Sequence, residues 1–381
     1  MVPPSLWFPS STLKNSKMSE KLASPSSGQA KDLSLDSIAC PPALKAQLAA
    51  SLEGKGLPLL LVGEEGAGKS YVALRLAAAM LCHDRQPQKG ACGLCPSCRM
   101  LESGDHLDLV QLEPAPDKTS IAVASVRSQV AASLQIYPQL SPLRVYLISA
   151  AKQDSLNEQG QNALLKPMEE HPDFVRFILL TEDDSRLLPT IVSRSHMIRL
   201  GRRDDQDIRT ILAEAGIGGQ LAELAISYAD GLPGQALAMA ADESFSQLRD
   251  QVFDLVTRLP RASRTDCLTK DLDVFRAHKG EIGLIFRILE SLLRDLLLLQ
   301  QGLPPARLVN KDLAGSLAAL LEAHPQADPA RAAGLIRQTA QALSAHVNFD
   351  HALARLLLGL RAHLGGQPLS PQLFRQEAGL L

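Results

Sequence analysis

The chain has 381 residues, 45% of them apolar, with 39 basic and 41 acidic side chains. That length holds two or three domains with substantial cores, and the near-neutral balance excludes a protein that grips nucleic acid by itself through a broad basic surface. No run approaches the roughly 18 uncharged apolar residues of a membrane span, and the opening MVPPSLWFPSSTLKNSKMSEKLASPSSGQ lacks the apolar core of a signal peptide; a cytoplasmic location is expected.

Residues 1–37 are rich in Ser, Pro and Lys and read as a disordered tail; Met18 within it is a second possible start. From 38 to 202, apolar runs alternate with helical patterns. Leu59–Val62, Leu107–Leu112, Val145–Ile148 and Phe174–Leu180 read as strands, and Lys69–Leu81 and Asn157–Lys166 as helices. Such alternation predicts a parallel sheet with crossover helices. Pro167 is expected to end or kink its helix, since it lacks an N–H and crowds the carbonyl of Ala163.

Beyond residue 203 the strand signal stops. Asp204–Ala215 and Gly219–Ala229 read as two short helices of a small domain over 203–242. From 243 to 381 the helices lengthen. Ile285, Ile288, Leu289, Leu292 and Leu296 mark one buried face, and Leu353, Leu356, Leu357, Leu360 and Leu364 mark another. Gly302–Arg307 and Ala323–Pro329 read as breaks between helices.

Residues 59–70, LLLVGEEGAGKS, match G-x-x-x-x-G-K-[ST] through Gly63, Gly68, Lys69 and Ser70, with an additional Gly66. Glycines let the backbone aim its N–H groups at phosphate, the following helix adds its positive end, Lys69 reaches the outer phosphates and Ser70 ligates Mg²⁺. The motif sits between an apolar strand and an amphipathic helix, as such a loop requires. It is read either as an ATP-binding pocket or as a fold feature that outlived its ligand.

Phosphoryl transfer in such folds needs an Asp on Mg²⁺ and a residue that orients water. The strand that should carry them reads RVYLISAAK (144–152), with Ser149 and Ala150 in those places. Asp154 is either a displaced carboxylate or a solvated loop acid. Hydrolysis at the chain's own site is therefore expected to be negligible.

Cys82-x₉-Cys92-x₂-Cys95-x₂-Cys98 supplies four thiolates. The two short spacings let consecutive cysteines wrap one ion, Gly90 and Gly93 permit sharp turns, and Pro96 stiffens one. A closed, structural Zn²⁺ site is expected, with free thiols or a redox pair as the alternatives. Cys40 and Cys267 are isolated, and His83 reads as a surface residue.

An AAA+ module with a zinc knuckle after its phosphate loop resembles the bacterial clamp-loader subunits of DNA polymerase III. NALLKPMEE (162–170) is similar to that family's NALLKxLEE helix, with Pro167 a departure. FILLTEDDSRLLPTIVSRS (177–195) resembles its sensor-1 and S-R-C region, with Ser195 in place of Cys and Thr181 in the sensor-1 position. Residues 40–240 carry the resemblance, and the stretch between the Val145 strand and Asn162 is slightly longer than the family pattern. The family includes the ATP-hydrolysing gamma/tau motor and the delta-prime stator. The lost acids, GLPGQAL (231–237) with Gly234 where the motor has a sensor-2 arginine, and the stretches LLRDLLLLQQG (292–302) and NFDHALARLLLGLR (348–361) favour the stator type.

The resemblance implies a P-loop AAA+ domain over 38–202 with its knuckle at 82–98, a helical lid over 203–242 and a helical collar over 243–381. It implies a hetero-oligomer with gamma/tau and delta subunits, reaching the sliding clamp and primer–template DNA through the complex. Arg194 takes the position of an arginine that enters the neighbour's ATP site in trans; the alternative is a structural arginine that caps a helix or pairs with an acid. The rival functions are a working gamma/tau-like motor and a stand-alone nucleotide-sensing module.

Overall fold

The computed structural model describes residues 32–366, apart from Lys55, Pro87, Pro116, Asp117, Thr119, residues 151–154, Asp242 and His346. Met18, Asp154 and most of the expected tail lie outside the described residues. Two compact units are present, one ending at Ala238 and the other beginning at Met239.

The first unit is built on five parallel strands: β1 (Leu59–Val62), β2 (Leu109–Leu112), β3 (Arg144–Ala150), β4 (Val175–Thr181) and β5 (His196–Arg199). Their order is β2-β3-β4-β1-β5. β1 is buried at all four positions, as expected of a central parallel strand covered on both faces. Alternate side chains serve opposite layers. Leu59, Leu61, Val145, Leu147, Ile178 and Leu180 pack with the helix Lys69–Leu81. Leu60, Val62, Tyr146, Ile148, Phe177 and Leu179 form the other core with Leu164, Met168 and Ile191. Within that second core the Tyr146 and Phe177 rings stack with centroids 5.2 Å apart.

Several boundaries differ from the sequence reading. β2 starts at Leu109, two residues late, because Leu107 is exposed and the flanking His106 and Asp108 turn inward into a buried polar network. β3 and β4 extend past their apolar cores to Ala150 and Thr181. The helix after β3 spans Glu158–Glu169 and runs through Pro167, which corrects the expected break there. The proline falls in the last turn, so it removes one ladder bond just before the helix ends anyway.

Asp205–Glu214, Gly219–Ala229 and the start of Pro233–Ala241 complete this unit. The Asp204 carboxylate caps the first of these by accepting the Asp207 N–H at 2.8 Å. The fold of this unit is an α/β arrangement of a five-stranded parallel sheet and helices, with an inserted cysteine knuckle.

The second unit is helical throughout its described residues. Its main helices are Glu243–Arg258, Ile282–Gln300, Ala314–Ala323, Pro329–Ser344 and Phe349–Leu364. All ten residues of the two predicted stripes are 0% exposed, so both stripes are internal core. Helices Pro329–Ser344 and Phe349–Leu364 approach closely at Gly359, where an added Cβ would lie 2.3 Å from Leu335 Cδ1. Among the described residues no helix is long and apolar enough to cross a membrane.

Candidate nucleotide pocket and metal centre

β1 delivers the chain into the phosphate loop. Gly63 follows its last residue, and the Gly63 N–H donates to the Thr181 carbonyl at the end of β4, 3.1 Å away. Gly66 and Gly68 hold φ of +87° and +88°, a region that L side chains rarely adopt. Gly68 precedes the helix Lys69–Leu81, whose first turn has no side-chain cap. Its N–H groups thus keep the capacity to bind an anion.

Lys69 is 7% exposed. Its Nζ donates to the carbonyls of Gly63 at 2.7 Å and Glu64 at 3.0 Å. Burial lowers its pKa, opposed chiefly by Glu182 and then by Glu65 and Glu64. Ser70 is exposed. Gly63, Gly66, Gly68, Lys69 and Ser70 therefore lie together in one loop and helix start that could hold a phosphate, with the ammonium folded onto the loop's own carbonyls.

The start of the helix Pro233–Ala241, in the region expected to be a lid, packs onto that loop. The Gly234 N–H donates to the Gly66 carbonyl at 2.8 Å, and a Cβ on Gly234 would sit 3.0 Å from Gly66 Cα. Gln235 Nε2 donates to the Glu65 carbonyl at 3.4 Å. Arg202 reaches Glu64 through Nε and Nη2 at 3.2 and 3.1 Å and also pairs with Asp230. The position expected to lack a sensor-2 arginine has no room for a side chain of any kind without displacing the loop. This latch was not foreseen from sequence; the Gly-Leu-Pro-Gly run was its visible signal.

At the far end of β3, Ser149 pairs in register with Leu180 and Ala150 with Thr181. A cleft of about 530 Å³ opens there, lined in part by Ala150, Glu158, Gln161, Thr181, Glu182 and Asp183. Ligands of open α/β sheets bind outside these carboxyl ends. No carboxylate is borne by the last two residues of β3, and Asp154 lies outside the described residues. Thr181 is 2% exposed, and its Oγ1 donates to the Asp183 carbonyl at 2.9 Å. That local turn occupies the hydroxyl.

The four knuckle cysteines converge as the spacing predicts. All four sulfurs of Cys82, Cys92, Cys95 and Cys98 lie within 4.8 Å of one another. Cys82 and Cys95 are 3.9 Å apart, and Cys92 and Cys98 are 4.0 Å apart. A tetrahedron with metal–sulfur bonds of about 2.3 Å has edges of about 3.8 Å, so the cluster can hold a metal ion. Gly90 and Gly93 take φ of +80° and +73° to make its turns.

Backbone N–H groups point at the sulfurs. Cys92 N donates to Cys82 at 3.3 Å, Cys95 N to Cys92 at 3.4 Å and Cys98 N to Cys95 at 3.4 Å. Burial raises the Cys82 and Cys98 thiols. At Cys92 burial is outweighed by the N–H groups of Leu94 and Cys95, which bring it down to about 7. His83 is exposed and belongs to no such cluster, Cys40 is half-buried, and Cys267 is buried in the helical unit.

Behind the knuckle, Ser97 donates to the Leu81 carbonyl at 2.8 Å and meets His106 Nε2 at 2.8 Å. The Asp108 carboxylate accepts the N–H groups of Gln139, Leu140 and Ser141 at 2.7–2.8 Å. A Ser and a His thus meet in space beside a buried Asp, but the Asp carboxylate is taken up by backbone N–H groups and the His Nδ1 by the Asp108 N–H. They are a structural joint between the knuckle and the sheet.

Arg194 caps the short helix Pro189–Ser193, donating from Nη1 to the Thr190 carbonyl at 3.3 Å. Its Nε pairs with Glu169 Oε1 at 2.6 Å, and the two side chains are 45% and 41% exposed. Both features of the structural alternative are therefore present, on a side chain that still reaches solvent.

Residues 42–204 match the family model described as DNA polymerase III, delta subunit. DNA polymerase III subunit delta′ of Pseudomonas aeruginosa is 40% identical over 135 residues, covering 35% of this chain and 40% of that protein. DNA polymerase III subunit tau of Escherichia coli K12 is 33% identical over 150 residues, covering 39% of this chain and 22% of that protein. A DNA polymerase III gamma-subunit-related protein from Thermotoga maritima superposes with a TM-score of 0.44 at 18% identity, covering 84% of this chain and 99% of that one. The chain thus spans less than half the length of these two curated relatives. Residues 42–204 are thus similar to the DNA polymerase III delta-subunit family model, and part of the chain is similar to delta′ subunits.

Proposed function

We propose that this chain is a delta-prime-like stator of the DNA polymerase III clamp loader, supporting ATP-driven loading of the sliding clamp onto primed DNA. The observation that carries the reading is the pairing of Ser149 and Ala150 with Leu180 and Thr181 at the end of β3. The phosphate cradle is intact, yet the strand ends in Ser149, a poor substitute for the Mg²⁺-holding carboxylate, and Ala150, which cannot orient water. The chain then binds ATP through Gly63, Gly66, Gly68, Lys69 and Ser70 without splitting it.

Its contribution to turnover is made next door. Arg194 enters a neighbouring gamma/tau subunit's site, where a guanidinium supplies fixed positive charge. The partners are gamma/tau and delta, with the clamp and primer–template DNA met through the complex. The metal held by Cys82, Cys92, Cys95 and Cys98 is Zn²⁺, in a closed site that supplies folding energy and no chemistry.

The test is ATP hydrolysis by the purified chain and by the loader reconstituted with gamma/tau and delta. The isolated chain should be inert, and Arg194→Ala should slow the assembled loader without dissociating it. The intact loop favours one second reading, the gamma/tau-like motor. Robust turnover by the isolated chain, abolished by Lys69→Ala, would establish that reading in place of the stator.

A further inference from the structure

We infer that Glu169 is the positioning residue for Arg194, holding its guanidinium by one edge so that the other is presented ready-oriented to a phosphate. The inference rests on the trans role proposed for Arg194 and adds the group that sets its geometry. Glu169 ends the helix Glu158–Glu169, and Arg194 follows the short helix Pro189–Ser193. The two helices bring together residues 25 positions apart, each on a rigid element.

The contact is specific. Glu169 Oε1 and Arg194 Nε form an ion pair at 2.6 Å. The Thr190 carbonyl takes Nη1 at 3.3 Å. A guanidinium offers five N–H donors in a fixed planar fork. With Nε fastened by a carboxylate and Nη1 only loosely by a carbonyl, the terminal edge is the one left for a bidentate partner. The neighbouring acid Glu170 pairs instead with Lys166 at 3.8 Å, so the two consecutive carboxylates have separate tasks.

A half-exposed ion pair contributes little stability, so its presence is better explained by geometry. A free arginine samples many rotamers and must order itself when it meets its target. Fixing one rotamer beforehand removes that entropy from the activation barrier.

The test uses the loader assembled from this chain and its gamma/tau and delta partners, with steady-state ATP hydrolysis measured on primed DNA. Glu169→Ala should lower kcat by about three- to tenfold, with KM for ATP, complex assembly and thermal midpoint essentially unmoved. Glu169→Gln keeps an oxygen beside Nε without its charge and should recover only part of the rate. Adding Glu169→Ala to Arg194→Ala should produce no further loss, because the acid acts only through the arginine. Unchanged or faster turnover with Glu169→Ala, or an additive loss in the double variant, would overturn the positioning role while leaving the Arg194 assignment standing. Unchanged turnover with Arg194→Ala alone would remove the reading beneath both.

Discussion

Gly234 and Gly66 face each other across the phosphate loop, joined by a 2.8 Å hydrogen bond from the lid's N–H to the loop's carbonyl. Gly66 contributes one of the loop's left-handed turns, so the lid grips the loop at a point where its conformation is least tolerant of change. Gly234→Ala puts a methyl 3.0–3.1 Å from Gly66 Cα and O. The backbone cannot yield cheaply, and overpacking of this kind costs about 1–3 kcal/mol. The thermal midpoint of the first unit should fall by several degrees. A fluorescent ATP analogue titrated against the same variant should bind more tightly, since the latch over the loop is weakened. An unaltered midpoint and affinity would show that the lid contact does not restrain the pocket.

The cysteine cluster yields a second prediction. Metal analysis of the intact chain should find about one zinc per molecule. Cys95→Ser should lose it and unfold the knuckle. Cys95 also sits at the start of the helix Pro96–Ser103, where its sulfur accepts the Cys98 N–H; a serine hydroxyl can keep that cap, so the substitution tests the ligand rather than the cap. Cys267→Ser lies in the other unit and should leave the metal content unchanged. Full zinc occupancy in the Cys95 variant would exclude the four-thiolate site.

Much of the phosphate loop and the knuckle was legible because each depends on local spacing. Gly63 to Ser70 is one contiguous motif, and Cys92, Cys95 and Cys98 lie within a single turn and helix start. What escaped the sequence reading is long-range. Gly234 meets Gly66, Arg202 meets Glu64, and Glu169 meets Arg194, and no periodicity encodes such pairs. The strand limits missed for a related reason. Leu107 is apolar and looks like strand, but the buried demands of His106 and Asp108 on either side hold that backbone in a turn. Pro167 misled because its penalty depends on where the helix would have ended anyway.

His106 gives a pH prediction. Burial is the main cause that lowers its pKa below the ordinary 6.5, with the Asp108 charge opposing and His83 adding slightly. The geometry agrees with a neutral ring, since Nδ1 accepts the Asp108 N–H at 3.1 Å. The unfolded chain therefore takes up a proton that the folded chain resists. The stability linked to this group is fully present above pH 6.5 and is lost as pH falls through the window below it. His106→Gln should flatten that part of the pH dependence in urea unfolding of the first unit. A wild-type slope in the variant would place the acid sensitivity elsewhere.

In the helical unit, Asp295 is 0% exposed and serves as a polar hub. Its carboxylate accepts the N–H groups of Val309 at 3.0 Å and Asn310 at 2.8 Å, and the Asn310 side-chain amide at 2.8 Å. Asn310 Oδ1 in turn accepts from Arg249 Nε at 3.0 Å, and Arg249 Nη2 reaches Asp312 at 2.7 Å. The hub thereby ties the loop after Ile282–Gln300 to the helix Glu243–Arg258. Asp295→Ala would strand several buried donors at once, at about 1–3 kcal/mol for each group left without a partner. We expect a loss of about 3 kcal/mol or more in the unfolding free energy of this unit. Asp295→Asn should lose less, because an amide oxygen still accepts from two of the three donors while its NH₂ faces the third. Denaturant midpoints of the two variants, compared at equal slope, distinguish this hub from a replaceable polar contact: a loss under about 1 kcal/mol in the alanine variant would mean that water satisfies the loop as well as the carboxylate does.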